Sequence, residues 1–168
     1  MRAHAMQGDQ DAMSEARAEA CASLSQLPAT VPTTGAFGVV PAAEPPYTAT
    51  SLLLVGRFDQ AAVLAQQLLD SVYRTRPGDP RPQPSNYART LLILAMAQAG
   101  NGDIDAAAVT GARALDAAPP VWPTLMLADR LGHVLTGHDP HATATGQYRE
   151  YYRRVSRSAA VTSLPVGT

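Results

Sequence analysis

The chain contains 168 residues, carries a formal net charge of −1 and has 46% hydrophobic residues. This length suits one domain with a sizeable core, and the near-neutral charge argues against nucleic-acid binding by bulk charge. All 13 basic residues are arginines, so lysine-dependent chemistry, such as Schiff-base formation and P-loop phosphate binding, is excluded. A single cysteine, Cys21, excludes an internal disulfide and fits a reducing, cytoplasmic compartment. No apolar run is long enough to span a bilayer.

The composition favours helices. Alanine is the commonest residue, whereas phenylalanine occurs twice and tryptophan once. A core of alanine and leucine with few aromatic or β-branched side chains is typical of closely packed helices rather than of sheets. The sequence therefore predicts an all-α fold, which proline and glycine divide into segments.

The first third of the chain holds one helical segment and one connector. The range 1–26 has a helical pattern with acids and arginines on its polar side. Repeated prolines in 27–46 prevent a long helix, so this range is predicted to be extended. A helix that begins at about Tyr47 breaks at Gly56 and resumes through Tyr73.

The rest of the chain repeats this alternation. A Pro-rich insert over 76–84 precedes Ser85, which is predicted to cap a strongly helical segment from Asn86 to Ala99. Further helices are predicted over 103–118, from Pro123 to about Leu135, and from Asp139-Pro140 to about Arg157, followed by a disordered tail over 158–168. The range 47–157 is thus predicted to be one helical-repeat domain.

A short motif of the form Gly-x-apolar-Asp-x-Ala occurs twice. The glycine is expected to turn the chain between antiparallel helices, and the alanine to let those helices approach closely. The apolar residue would pack the second helix on the first, and the aspartate would face its positive N-terminus. The copies are Gly56, Phe58, Asp59 and Ala61, then Gly102, Ile104, Asp105 and Ala107; His4–Asp9 resembles the same turn.

The second copy resembles a tetratricopeptide repeat, a helical hairpin with a usual period of about 34 residues. The resemblance rests on Leu94, Ala95, Gly102, Ala107, Ala114, Leu115 and Pro119. The distance from Gly56 to Gly102 exceeds this period, and the Pro-rich insert accounts for the excess. The pattern degenerates after Pro119, as expected of a capping unit. The resemblance implies an α-solenoid of about three antiparallel helix pairs, the first of them truncated.

Three stretches, 47–57, 85–95 and 121–125, are similar to the C-terminal helical-repeat region of actinobacterial helix-turn-helix regulators of the XRE type. In that family a DNA-binding helix-turn-helix module precedes the repeats. The range 1–46 is predicted to hold one helix and a connector, without a second helix for a recognition pair. We therefore do not expect specific DNA binding by this chain alone, and we expect a fragment, a mis-started gene or a stand-alone remnant of such a regulator.

The resemblance implies a non-catalytic protein-interaction or ligand-sensing module. In tetratricopeptide folds the first helix of each pair lines a groove that holds a peptide or a partner helix. The repeat register predicts that this groove contains Thr50, Arg89, Met96, Met126, Arg130 and His133. The alternative for both methionines is the core. The expected partner is a protein or peptide, with a small-molecule signal or a second copy of the chain as further options, and no cofactor is expected.

One other class is a DNA-associated regulator that acts with a separate or missing helix-turn-helix module. The final predicted helix carries Arg149, Arg153 and Arg157 beside Tyr148 and Tyr152, and basic residues next to aromatic ones can contact nucleic acid. The alternative is an amphipathic capping helix with its tyrosines inward and its arginines outward.

A third class is a small helical metal-binding protein that uses His133, His138 and His141. The alternative is a solvated turn in which Asp139-Pro140 starts the last helix. Cys21 is interpreted as a small buried packing residue rather than a nucleophile. No serine lies in a nucleophile elbow, so the sequence does not predict an enzyme.

Overall fold

The computed structural model describes residues 1–28, 45, 47–74, 83–117 and 119–162. Most of the predicted connector and of the Pro-rich insert lies outside these ranges. The described residues form eight helices and no strand, which confirms the all-α prediction. The helices are α1 (Arg2–Met6), α2 (Gln10–Ser25), α3 (Thr48–Leu54), α4 (Phe58–Ser71), α5 (Pro84–Gly100), α6 (Ile104–Asp116), α7 (Trp122–His138) and α8 (Thr143–Thr162). None of these helices has both the length and the apolar character that a membrane crossing needs.

The chain divides into two compact units, Met1–Arg57 and Phe58–Thr168. The boundary falls between Arg57 and Phe58, inside the range 47–157 that is predicted to be one domain. In the first unit, α1 packs against both α2 and α3. The turn that His4–Asp9 predicts is present at Gly8 and separates α1 from α2, so the predicted count of one helix before the connector was wrong. A helix as short as α1 is too short to produce a recognisable 3.6-residue pattern.

Helix α5 is the centre of the second unit. It packs against α4, α6 and α7. Its buried side chains include Leu91, Leu92 and Leu94, and within the run 91–97 only Ile93 is partly exposed. A helix that is apolar all round must be covered on several sides, and this prediction is confirmed.

The start of α5 differs from the prediction. Ser85 was predicted to be the N-cap, but the cap is Gln83, and Pro84 occupies the first turn. The Gln83 carbonyl accepts hydrogen bonds from the amides of Asn86 and Tyr87, at 2.9 and 3.1 Å. Proline has the φ of a first helical residue and lacks an amide that would need a partner, so the helix begins there and not after Ser85.

The turn from α5 to α6 is fixed by Gly102, whose φ of +86° favours glycine. The Gly102 amide donates to the carbonyl of Ala99 at 3.0 Å, and the Asp103 amide donates to that of Gln98 at 2.9 Å. This pair of bonds is a Schellman motif. The Asp103 carboxylate then accepts from the Ala106 amide at 3.1 Å and caps α6. The predicted turn between two packed helices is confirmed here.

The same backbone arrangement occurs at two earlier glycines. Gly8 and Gly56 both have φ +75°. In each turn the glycine amide and the next amide donate to two carbonyls of the preceding helix. Asp9 caps α2 through the Ala12 amide at 3.0 Å, as Asp103 caps α6. The resemblance of His4–Asp9 to the two motif copies is therefore a resemblance of backbone geometry as well.

Phe58 connects α4 to α5. A Cβ atom added to Gly100 would lie 2.4 Å from the Cγ and Cδ1 atoms of the Phe58 ring, so the ring lies directly on the glycine backbone. The motif assigned Phe58 to packing within its own helix pair, whereas the contact in the second unit is with the end of α5. Ala61, the small residue of the same motif, is fully buried.

Helices α6, α7 and α8 meet around Tyr148. This side chain is 2% exposed, and its hydroxyl donates to the Ala128 carbonyl of α7 at 2.8 Å. Gly111 of α6 makes room for it, because a Cβ there would lie 2.7 Å from the Tyr148 ring and 2.4 Å from a methyl of Leu131. These contacts position α8 on both α6 and α7.

Helix α8 is amphipathic and longer than predicted. Tyr148 is buried, Tyr152 is partly exposed, and Arg149, Arg153 and Arg157 are exposed, as in the alternative interpretation of this segment as a capping helix. The helix runs to Thr162 instead of ending near Arg157, so the first part of the predicted disordered tail is helical, and 163–168 lies outside the described residues. Asp139 caps the turn before α8, since its carboxylate accepts from the amides of His141 and Ala142.

Candidate functional site

The predicted groove residues lie in different units. Thr50 is in α3 of the first unit. The other five are in the second unit, with Arg89 and Met96 on α5 and Met126, Arg130 and His133 on α7. Helices α5 and α7 pack against each other, so these five lie on adjacent helices.

The two methionines have opposite environments. Met96 is 7% exposed and belongs to the core, which was the alternative interpretation of this residue. Its helix is enclosed by three others, so little of its surface is left for a ligand. Met126 is 52% exposed and presents its thioether to solvent. Only Met126 can therefore contribute to a binding surface.

Arg89 lies on the accessible stripe of α5. Its guanidinium donates to the side-chain carbonyl of Asn86, one turn earlier. Asn86, Arg89 and Ile93 are each partly exposed, and their spacing of three and four residues puts them on one face. The Asn86 contact orients the guanidinium along this face and leaves other donors of its fork for a partner.

Helix α7 has one buried face and one exposed face. Its inner face buries Thr124, Ala128, Leu131 and Leu135. Its outer face carries Trp122, which is 72% exposed, and then Met126, Arg130 and His133 at intervals of three or four residues. We call this set of four residues the α7 outer face. It contains the only tryptophan of the chain.

Trp122 was not among the predicted groove residues, although it is exposed on the same helix face as Met126. The signal was available, since the tryptophan comes just before Pro123 at the predicted start of a helix and four residues before Met126. Residues four apart share a helix face, so the groove position of Met126 also implied Trp122. Val121, immediately before it, is 44% exposed and extends the apolar part of this surface.

Asp129 compensates part of the charge beside the α7 outer face. Its carboxylate lies 3.5 Å from Nδ1 of His133, and the same ring nitrogen lies 2.9 Å from its backbone carbonyl. On the other side, partial burial and then the Asp129 carboxylate raise the pKa of Tyr152 in α8. Arg130 is exposed and forms no ion pair with Asp129 in the described part of the chain. It is therefore the main positive charge of the α7 outer face.

The histidine cluster lacks the geometry of a metal site. Across the described ranges there is no group of three or more His, Cys, Asp or Glu side chains that could hold a metal ion. His133 directs one ring nitrogen to its own helix, and His138 and His141 lie at the solvated turn that Asp139 caps. His133 thus lies within α7, His138 is its last residue, and His141 precedes α8, without forming a set of ligands.

Cys21 is exposed, so its predicted burial was wrong. It lies on α2, where Met13 is the one buried residue within the helix. A helix of many alanines has no strong apolar side, and the sequence therefore could not indicate which side of α2 faces solvent.

The arginines of α8 take part in local contacts. Arg153 lies 3.5 Å from Glu150, and the Arg154 guanidinium stacks 4.8 Å from the centre of the Tyr151 ring. The Tyr151 hydroxyl donates to Asp116 of α6, and this hydrogen bond is the main cause of its raised pKa. Acidic and aromatic neighbours therefore dilute the positive charge of α8, as expected of a helix that caps its neighbours.

The chain matches no protein-family profile, no curated protein and no solved structure. The functional argument consequently depends on the geometry of the second unit. There, an exposed tryptophan, a methionine and an arginine share one face of α7, and these residue types are enriched at protein interfaces.

Proposed function

We propose that this protein is a non-catalytic, tetratricopeptide-like interaction module that binds a protein or peptide partner on the α7 outer face and the neighbouring stripe of α5. The observation that carries this proposal is the 72% exposure of Trp122 and the 52% exposure of Met126 on one helix face. Large apolar side chains that remain exposed together are a mark of interaction sites.

The packing order of the second unit supports a repeat arrangement. Helices α4 to α8 each pack against the next helix, and α5 with α7 and α6 with α8 also pack against the next but one. In helical-repeat proteins, nearest-neighbour packing of this kind places the first helices of successive pairs in one layer and the second helices in another. Under this proposal α5 and α7 are first helices, which line the groove.

The residue types define the expected partner. Trp122 and Met126 offer an aromatic anchor and an adaptable apolar contact. Arg89 and Arg130 offer guanidinium groups, whose planar forks match carboxylates. The partner should therefore be a segment that combines acidic and apolar side chains, and the module would work in the cytoplasm, as the single cysteine suggests.

A library of synthetic peptides, with acidic and apolar positions varied, tests this proposal by fluorescence polarisation against the full chain. For the best binder, Trp122→Ala should weaken affinity by about tenfold or more, and Arg130→Ala by a smaller factor that shrinks at high salt. The matched controls are Val109→Ala on α6, which is 61% exposed, and Arg149→Ala on α8. Both controls should leave the affinity unchanged. If the controls weaken binding and Trp122→Ala does not, the binding surface lies elsewhere.

The resemblance to the repeat region of helix-turn-helix regulators suggests one particular partner, a separate DNA-binding module. This version of the proposal requires that the chain alone does not recognise DNA. In a gel-shift titration at physiological salt with competitor, only non-specific association of about 10⁻⁴–10⁻⁶ M or weaker is expected. A sequence-dependent shift by this chain alone would instead assign DNA contact to the arginines of α8.

A further inference from the structure

A cavity of about 220 Å³ lies between α4, α5 and α6 in the second unit. None of its lining residues belongs to α7, so it is separate from the α7 outer face. Its walls contain three leucines from α4 and α5 and the edge-to-face pair of Tyr73 and Tyr87, whose ring centroids are 5.8 Å apart. Most of the surface that the lining residues expose to the cavity is nevertheless polar, because Leu91, Leu94 and Tyr73 are almost completely buried.

The rim of this cavity carries two guanidinium groups. Arg74 follows the end of α4 and Arg113 lies near the end of α6, and both side chains are exposed. Asp70 is the one acidic residue of the lining, and its carboxylate accepts a hydrogen bond from the Gln66 amide at 3.0 Å. The lining therefore has an excess of one positive charge.

The arginines of this rim are available to a ligand. Among the described residues, neither Arg74 nor Arg113 belongs to the ion pairs of His133 with Asp129 and of Arg153 with Glu150. Guanidinium groups commonly bind oxyanions, and their planar fork suits a carboxylate especially well.

We propose that this cavity binds a small organic carboxylate. Arg74 and Arg113 hold the carboxylate at the rim, and the tyrosine pair contacts the body of the ligand. The volume is below the range of about 300–1,000 Å³ that is typical of drug-sized ligands, so the ligand carries a single ring or a short chain. This site does not depend on the peptide surface proposed above.

Phenylacetate, its neutral isostere phenylacetamide, and inorganic phosphate are suitable probes, titrated into the full chain labelled with ¹⁵N. Phenylacetate should produce saturable shifts in the amides near the end of α4 and in the Nε–Hε signals of Arg74 and Arg113. Its affinity should exceed that of phenylacetamide by about tenfold, because charge-assisted bonds are roughly twice as strong as neutral ones.

Two substitutions should act in opposite directions. Arg113→Ala should weaken phenylacetate binding about fivefold or more, whereas Asp70→Asn should strengthen it, since it removes a like charge from the lining. Arg149→Ala on α8 is the control and should change nothing. The proposal is overturned if phenylacetamide binds as well as phenylacetate, if phosphate produces the same saturable shifts, or if Asp70→Asn and Arg113→Ala change the affinity in the same direction.

Discussion

Gly111→Ala should destabilise the protein although it replaces glycine by the best helix former. The new Cβ would lie 2.4 Å from the Leu131 methyl and 2.7 Å from the Tyr148 ring. The first distance is about 1 Å shorter than an ordinary carbon–carbon contact of about 3.5 Å, so α6 and α7 must move apart or a side chain must leave its rotamer. Overpacking of this kind costs about 1–3 kcal/mol.

The matched control is Gly132→Ala in α7. A Cβ there would lie 3.7 Å from the other edge of the same Tyr148 ring, which is an ordinary contact. Both substitutions gain the same helix-propensity term of about 0.5–1 kcal/mol, so this term cancels in their difference. Gly132→Ala should therefore stabilise the protein slightly, and Gly111→Ala should be less stable than it by about 1–3 kcal/mol.

Urea unfolding followed by circular dichroism measures both free energies of unfolding in the full chain. The two compact units are reason to verify with a second probe, such as tyrosine fluorescence, that the transitions coincide. Leu131→Val should partly rescue Gly111→Ala, because it shortens the side chain that the new methyl meets. If Gly111→Ala and Gly132→Ala are equally stable, then α6, α7 and α8 do not meet as closely as described.

Three further predictions concern the core, the pH dependence and the thiol. Leu94→Ala should lower the free energy of unfolding in urea by about 2–5 kcal/mol, because it leaves a cavity beside α5. Ala107→Leu should lower it by about 1–3 kcal/mol, because the larger side chain overpacks the contact between α5 and α6. Burial raises the pKa of the Tyr148 hydroxyl above its ordinary value near 10, so the folded state keeps its proton longer than the unfolded state. Stability should therefore be constant below about pH 9 and fall as pH rises through 10 and above, with a smaller fall for Tyr148→Phe. Cys21 should react with a thiol reagent in the native protein at nearly the rate of a free thiol, and slow reaction would contradict its exposure.

The sequence predicted those features of the fold that residues close together in the chain determine. The Gly102 turn is one such part, because a left-handed residue followed by a capping aspartate is specified within a few positions of the chain. The enclosed position of α5 is another, since a run of seven apolar residues leaves no polar side. Both features depend on residue type alone and needed no knowledge of neighbouring helices.

Contacts between distant residues could not be predicted in the same way. Nothing in the sequence near Gly100 or Gly111 indicates that Phe58 and Tyr148 lie against them. For the same reason, the sequence did not predict that Met96 is buried and that Cys21 is exposed, because both depend on which helices cover α5 and α2. The site residue Trp122 is different, because the helical spacing to Met126 already indicated it.

The two Pro-rich segments lie outside the glycine turns that depend on specific local hydrogen bonds. The glycine turns at Gly8 and Gly102 join helices that pack against each other, and each turn depends on two specific amide-to-carbonyl bonds. An insertion there would break both bonds and displace the cap, at about 0.5–1.5 kcal/mol for each hydrogen bond. The Pro-rich segments 29–44 and 75–82 stand between predicted helices in the sequence and are predicted to be connectors. Doubling the length of such a connector costs only about 0.6 kcal/mol of closure entropy. The helix pair, and not the connector, is therefore the unit that the sequence must keep intact, so shortening the 75–82 segment should change stability far less than adding one residue to the Gly102 turn.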